Sequence, residues 1–164
     1  MKPEAERPDQ NVGQDAPRRN SDVSVALCVA RFYEELAGRL VEGARATLEE
    51  AGVSDVDSFE VPGAFELPLV ASYAARSGRY AAVVCLGAVI RGETDHYQYV
   101  CGEAARGIEQ VQLDTGVPCG FGVLTVDTMD QALERVTGGS KRDTGRSAAE
   151  AALAALAIKR KLGL

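Results

Sequence analysis

An uncharged apolar run, Ala81 to Ile90, constrains the fold of this chain more than any other feature. It is far shorter than the roughly 20 residues a membrane-spanning helix requires. Its valines favour a strand buried on both faces, which belongs in the middle of a parallel sheet covered by helices. The run ends in Arg91-Gly92-Glu93-Thr94, and a helix opens at Asp95, with Asp95 and Gln98 spaced as a capping-box-like pair. A glycine-bearing turn between a strand's carboxyl end and a helix's amino end suits an anion, because free backbone N–H groups and the helix dipole converge there. His96, the only histidine, lies beside that turn, and histidine is the side-chain type that changes charge near neutral pH. This juxtaposition suggests chemistry on a small phosphorylated substrate.

Strands and helices alternate from Val23 onward. Val23 to Val29 reads as a β-branched-rich strand, and Glu34 to Ala51 as a helix with Leu36, Leu40, Ala44 and Leu48 along one face, stopped by Gly52. A second strand is expected over Asp55 to Val61. The Pro62-Gly63 turn then leads to a helix over Phe65 to Arg76, with Pro68 in its first turn. The helix at Asp95 should reach Thr115, where Gly116-Val117-Pro118 ends it. Gly120 to Val126 reads as a fourth strand and Met129 to Arg135 as a short helix. A loop, Gly138 to Gly145, precedes a final helix ending near Leu162, where Lys159, Arg160 and Lys161 complement the negative helix end. Four such strands imply an α/β three-layer sandwich with a four-stranded parallel sheet, whose ligands bind outside the carboxyl ends of the strands.

Residues 1–20 carry three of the six prolines and little bulky aliphatic surface, so they are expected to form a disordered tail before a single domain over 21–164. A net charge of −6 argues against a nucleic-acid or anionic-membrane surface, because either needs a clustered cationic face. The amino terminus has no hydrophobic signal-peptide core, and the expected location is the cytoplasm. Cys28, Cys85, Cys101 and Cys119 fit no zinc spacing and read as buried small hydrophobes, so they are assigned no metal and no chemistry. No cofactor is expected.

The strand-end rule places four loops on one rim. Phe32 follows the first strand, and Phe65 with Glu66 follows the second. Val89 to His96 and Asp127 follow the third and fourth. An aromatic at a strand exit either stacks on a planar ring or packs against a helix end. Glu66 either complements a helix dipole or binds hydroxyls, and Thr94 is either a helix cap or a phosphate ligand. His96 as a helix-start residue and Arg135 as a solvated cation are the corresponding structural readings.

At the level of motifs the chain resembles the lumazine synthase family. The resemblance rests on Ala30-Arg-Phe32, Val61-Pro-Gly-Ala-Phe-Glu-Leu-Pro68 and Leu86-Gly-Ala-Val-Ile-Arg-Gly-Glu-Thr94 with His96-Tyr97. Thr115-Gly-Val-Pro118, Phe121-Gly-Val-Leu-Thr125 and Gln131-Ala-Leu-Glu-Arg135 continue it in order, so it spans Val23 to Leu162. It implies a flavodoxin-like fold and condensation of 5-amino-6-(D-ribitylamino)uracil with 3,4-dihydroxy-2-butanone 4-phosphate. The products are 6,7-dimethyl-8-ribityllumazine, phosphate and water. By resemblance Phe32 stacks on the pyrimidine, Ala64, Phe65 and Glu66 hold the ribityl chain, Val89 and Ile90 contact the ring edge, and Ala88 is a further substrate-binding residue. Glu93 and Thr94 bind phosphate, His96 carries the proton, and Phe121 and Arg135 come from a neighbouring subunit.

The resemblance further implies a homopentamer, with decamers and capsids of twelve pentamers as larger forms and riboflavin synthase as an enclosed partner. A flavin-binding or shell-forming homologue with little catalysis is the alternative. One departure stands out: family members often carry a lysine before the glycine that opens the last helix. Here Thr144 precedes Gly145, leaving Lys141, Arg142 and Arg146 as candidates for that charge.

Overall fold

The computed structural model describes residues 20–164. The tail expectation therefore falls outside the described residues, apart from Asn20, whose amide donates to the Ala51 carbonyl at 3.0 Å. Four strands, β1 (Ser24–Ala30), β2 (Asp55–Val61), β3 (Ala82–Ile90) and β4 (Cys119–Val126), pair in the order β2-β1-β3-β4, all parallel. Five helices follow or link them: α1 (Glu34–Glu50), α2 (Leu67–Arg76), α3 (His96–Thr115), α4 (Met129–Leu133) and α5 (Thr144–Lys161). The expected α/β three-layer sandwich is present.

Alternation along the strands divides the core between two faces. Val25, Leu27 and Val29 of β1 and Val84 and Leu86 of β3 meet Leu36, Leu40 and Leu48 of α1 and Ala149 and Leu156 of α5. On the opposite face Ala26 and Cys28 join Val83, Cys85 and Val123 under Leu67 and Ala71 of α2 and Ala104 and Ile108 of α3. Each fully buried leucine or valine contributes about 1.5–3 kcal/mol before entropy is counted. Small residues let the helices approach closely: a Cβ at Gly145 would meet the Leu40 carbonyl oxygen at 2.2 Å, so only glycine brings α5 this near α1. β2, at the sheet edge, exposes Asp55, Ser58 and Glu60, polar groups that discourage further strand pairing.

Local expectations differ from the structure at helix ends. Asp95 takes helical angles and its side chain caps nothing, so the pair with Gln98 does not form. The His96 amide instead points to the Thr94 hydroxyl at 3.4 Å. α4 ends at Leu133 rather than Arg135, because the Arg135 amide already bonds three residues back, to Ala132. α5 begins at Thr144, where the Asp143 carboxylate accepts from the Arg146 amide. Among the described residues no helix is long and apolar enough to cross a membrane.

Candidate active site

The sheet order reverses direction between β1 and β3, the place where open α/β sheets leave a crevice at their carboxyl edge. A cavity of about 430 Å³ lies at that edge, within the size range of small-molecule sites. It is lined by Phe32 and Tyr33 after β1, Pro62 to Glu66 after β2, Ala88 to Ile90 at the end of β3, and His96 and Val100 of α3.

Each wall has a local cause. The Arg31 amide donates to the Val61 carbonyl at 2.9 Å, and its guanidinium reaches Glu60 at 2.6 Å and Glu34 at 3.5 Å. These contacts fix the chain where it leaves β1. Phe32 therefore stands out from the surface, 73% exposed, with its edge-to-face contact to Tyr33 at 4.9 Å. After β2 the chain forms a 3₁₀ turn, Ala64–Glu66, and the Glu66 carboxylate accepts from the Gly63 amide at 3.0 Å. Glu66 thus holds its own turn closed while lining the cavity. Ala88 is buried, and Val89 and Ile90 are half-buried, giving an apolar floor beneath two exposed phenylalanines.

His96 opens α3 and reaches the same cavity, and Val100 lies one helical turn further on. Glu93 and Thr94 are exposed on the adjoining turn and do not line the cavity. A helix leaves its first amides without carbonyl partners, so this turn faces solvent with the positive end of the α3 dipole.

Phe121 and Arg135 do not join that cavity. They line a second cleft of about 410 Å³ with Lys141, Arg142, Thr144 and Ser147. Three of its lining residues are cationic and none is acidic, which favours an anion in a chain of net charge −6. Arg135 is aimed by donating to the Gln131 carbonyl at 2.8 Å and by Glu134 at 3.4 Å. The three candidate cations near Thr144 now separate. Arg146 does not line the cleft; its guanidinium makes three hydrogen bonds to Glu50 at 2.9–3.2 Å and lies 3.5 Å from Glu150. Arg142 is engaged by the Ser147 hydroxyl at 2.6 Å and lies 3.6 Å from Glu150. Lys141 is anchored through its backbone amide to the Glu134 carbonyl at 2.7 Å and lines the cleft.

Of the sequence-based site residues, Phe32, Ala64, Phe65, Glu66, Ala88, Val89, Ile90 and His96 therefore meet in one cavity. Tyr33, Pro62, Gly63 and Val100 complete its lining and were not foreseen as site residues. Val100 was within reach of helical periodicity, being four residues beyond His96. Pro62-Gly63 read as a turn on the common rim, without a role in binding. The four cysteines are free, and Cys28, Cys85 and Cys119 are buried in the sheet. Among the described residues no cluster of histidine, cysteine, aspartate or glutamate could hold a metal ion. A family model described as 6,7-dimethyl-8-ribityllumazine synthase matches residues 22–160.

Proposed function

The chain belongs to the 6,7-dimethyl-8-ribityllumazine synthase family, and from that premise we propose that it catalyses the condensation yielding 6,7-dimethyl-8-ribityllumazine, the penultimate step of riboflavin biosynthesis. The substrates would be 5-amino-6-(D-ribitylamino)uracil and 3,4-dihydroxy-2-butanone 4-phosphate. The observation that carries this reading is the shared lining of one cavity by Phe32, Ala64 to Glu66, Ala88 to Ile90 and His96.

Within that cavity the pyrimidine stacks on Phe32 above the apolar floor, and the ribityl hydroxyls meet Glu66 and the backbone at Ala64 and Phe65. The phosphate end lies toward Glu93 and Thr94 at the α3 amino terminus, where the helix dipole favours it. The substrate's amine attacks the ketone itself, so no enzyme nucleophile is required. Loss of water gives an imine, phosphate leaves by elimination, and ring closure with loss of a second water completes the product. Holding two reactants together supplies most of the acceleration. His96 moves protons between the amine, the carbonyl oxygen and the leaving phosphate.

Phe121 and Arg135 serve the cavity of a neighbouring subunit, with Lys141 as the second cation in place of a lysine at position 144. Their separation from His96 within one chain supports that arrangement. A ring of five subunits is the proposed assembly, since a cavity facing a different surface on its neighbour is a head-to-tail contact that closes by rotation. The decisive test supplies both substrates and follows the fluorescent product. Formation faster than the spontaneous reaction is expected, and a rate equal to the uncatalysed one overturns the proposal.

A further inference from the structure

Between the β3–α3 turn and the cationic cleft runs a continuous line of polar contacts. Arg91, the first residue beyond β3, donates its amide to the Val126 carbonyl at 2.9 Å. Its Nε donates to Asp127 Oδ1 at 2.7 Å, and its guanidinium stacks 4.2 Å over the Tyr97 ring. Arg91 is thus held from three directions, by a strand, a carboxylate and the first turn of α3. The exposed segment Gly92 to Asp95 is bracketed by the two residues in that stack, Arg91 and Tyr97.

Asp127 also reaches the other way. Its backbone amide donates to the side-chain Oε1 of Gln131 at 2.8 Å, and the backbone carbonyl of Gln131 accepts from Arg135 Nη1 at 2.8 Å. Gln131 is itself seated by its amide on the Thr128 hydroxyl at 3.1 Å, the cap of α4. One residue at the end of β4 therefore stands between the turn beside His96 and the arginine of the second cleft.

We propose that Asp127 is a positioning residue, its carboxylate holding the Gly92–Thr94 turn through Arg91 and its backbone amide seating Gln131, whose carbonyl receives Arg135, so that the turn of one phosphate site and the arginine serving the neighbouring subunit's site are both set at one residue. This rests on the proposed condensation for its catalytic meaning. An exposed ion pair such as Arg91–Asp127 contributes little to global stability. Its effect is on where its partners are held, and a misplacement near 1 Å at a binding group is enough to matter. The consequence is selective: the phosphate-bearing ketone depends on Asp127, while the aminouracil, seated on Phe32 and the β3 floor, does not.

The test compares the full chain with Asp127→Asn, Asp127→Ala, Arg91→Met and Gln131→Met in steady-state kinetics, with backbone amide exchange measured on the same proteins. Both Asp127 substitutions are expected to raise KM for the phosphate-bearing substrate about tenfold, with a smaller change in kcat and the aminouracil KM unmoved. Amides over 92–95 exchange faster in Asp127→Ala, while those of 131–135 and β3 keep their rates, because the backbone N–H that Asp127 donates to Gln131 survives the substitution. Arg91→Met loosens 92–95 in the same way and also raises that KM, whereas Gln131→Met, which removes the Oε1 that accepts from Asp127, loosens 131–135. Equal weakening of both substrates, unchanged KM in the Asp127 variants, unchanged exchange over 92–95 in Asp127→Ala, or unchanged exchange over 131–135 in Gln131→Met overturns the proposal. If the unsubstituted chain forms no lumazine, the condensation reading fails by itself. Inorganic phosphate binding then decides the role of Asp127: about tenfold weaker in Asp127→Ala supports it, and equal affinity overturns it.

Discussion

Gly120 in β4 lies directly against the backbone of Ala148 in α5: a Cβ built on Gly120 would sit 2.2 Å from the Ala148 carbonyl oxygen. No side-chain rotation relieves such a clash, because the obstructing atom belongs to a helix. Gly120→Ala is expected to destabilise by at least about 2 kcal/mol. Gly38, inside α1 with no atom within 4 Å of its virtual Cβ, provides the contrast. Gly38→Ala should stabilise by about 0.5–1 kcal/mol. Urea midpoints of the two variants should move in opposite directions, and a shift of both the same way would contradict this packing.

His96→Ala and Phe32→Ala should fail in different ways. If His96 is the proton carrier proposed above, its loss is expected to lower kcat by about 10²–10⁴-fold, while positioning keeps the rate above the spontaneous reaction. Losing the exposed ring should leave stability within about 0.5 kcal/mol and raise KM for the aminouracil about tenfold. Steady-state kinetics with each substrate varied in turn separates the two. Complete inactivity of folded His96→Ala would defeat a mainly positional mechanism.

Lys141 and Arg146 make a matched comparison, since both lie near Thr144 and only Lys141 lines the cationic cleft. Lys141→Met should weaken competitive inhibition by inorganic phosphate about tenfold. Arg146→Met should leave phosphate inhibition alone and cost at most about 1 kcal/mol through its exposed contacts with Glu50 and Glu150. The reverse pattern would assign the charge to Arg146.

Complementation tests whether the two clefts of one chain serve different reaction centres. His96→Ala and Arg135→Ala chains, each weakly active alone, are unfolded together and reassembled in equal amounts. About a quarter of the centres in a randomly mixed ring then combine an intact cavity with an intact cleft. Activity should rise to about that fraction of the unsubstituted level. No gain over the separate variants would place both clefts in one subunit's service.

The parts of this structure that were readable from sequence are those where periodicity and burial agree. β2 begins and ends where expected, and β1, β3 and β4 each differ by a single residue at one or both ends. Helix starts were harder because serine, threonine and aspartate all cap by the same chemistry. Nothing in Thr94-Asp95 says which one turns toward the backbone, and at α5 it is Asp143 that does. Phe32, Ala64 to Glu66, Val89, Ile90 and His96 were legible because each lies at or just beyond the carboxyl end of a strand in a parallel sheet. The partition of Phe121 and Arg135 into a separate cleft was not visible in spacing, and entered only through family resemblance. The line from Tyr97 to Arg135 is not legible in the sequence, because its central contact, between Arg91 and Asp127, joins residues that follow different strands, far apart along the chain.

The buried thiols give the protein an alkaline liability. Burial pushes the Cys119 thiol from its ordinary 9.0 up to about 12. A hydrogen bond with Cys28, reinforced by burial, pushes Cys85 well above the usual range. Unfolding therefore releases protons in this range. The stability these neutral thiols contribute is fully present below pH 9.0 and is lost as pH rises through the folded values, at up to about 1.4 kcal/mol per pH unit for each group. Urea midpoints should hold to that pH and then fall, and Cys119→Ala should reduce the slope. An identical slope in that variant would show that Cys119 ionises as freely folded as unfolded.

β3 is laddered to a neighbour on either side and roofed above and below, and its last residues floor the cavity. That floor is laddered to β4 alone, because the pairing with β1 ends at Leu86, yet a ligand arriving there still meets a strand of the central sheet, which softens far less readily than a loop. Adaptation to a differently shaped guest must come from the overhanging aromatics and the short turns, never from the ground on which the guest rests.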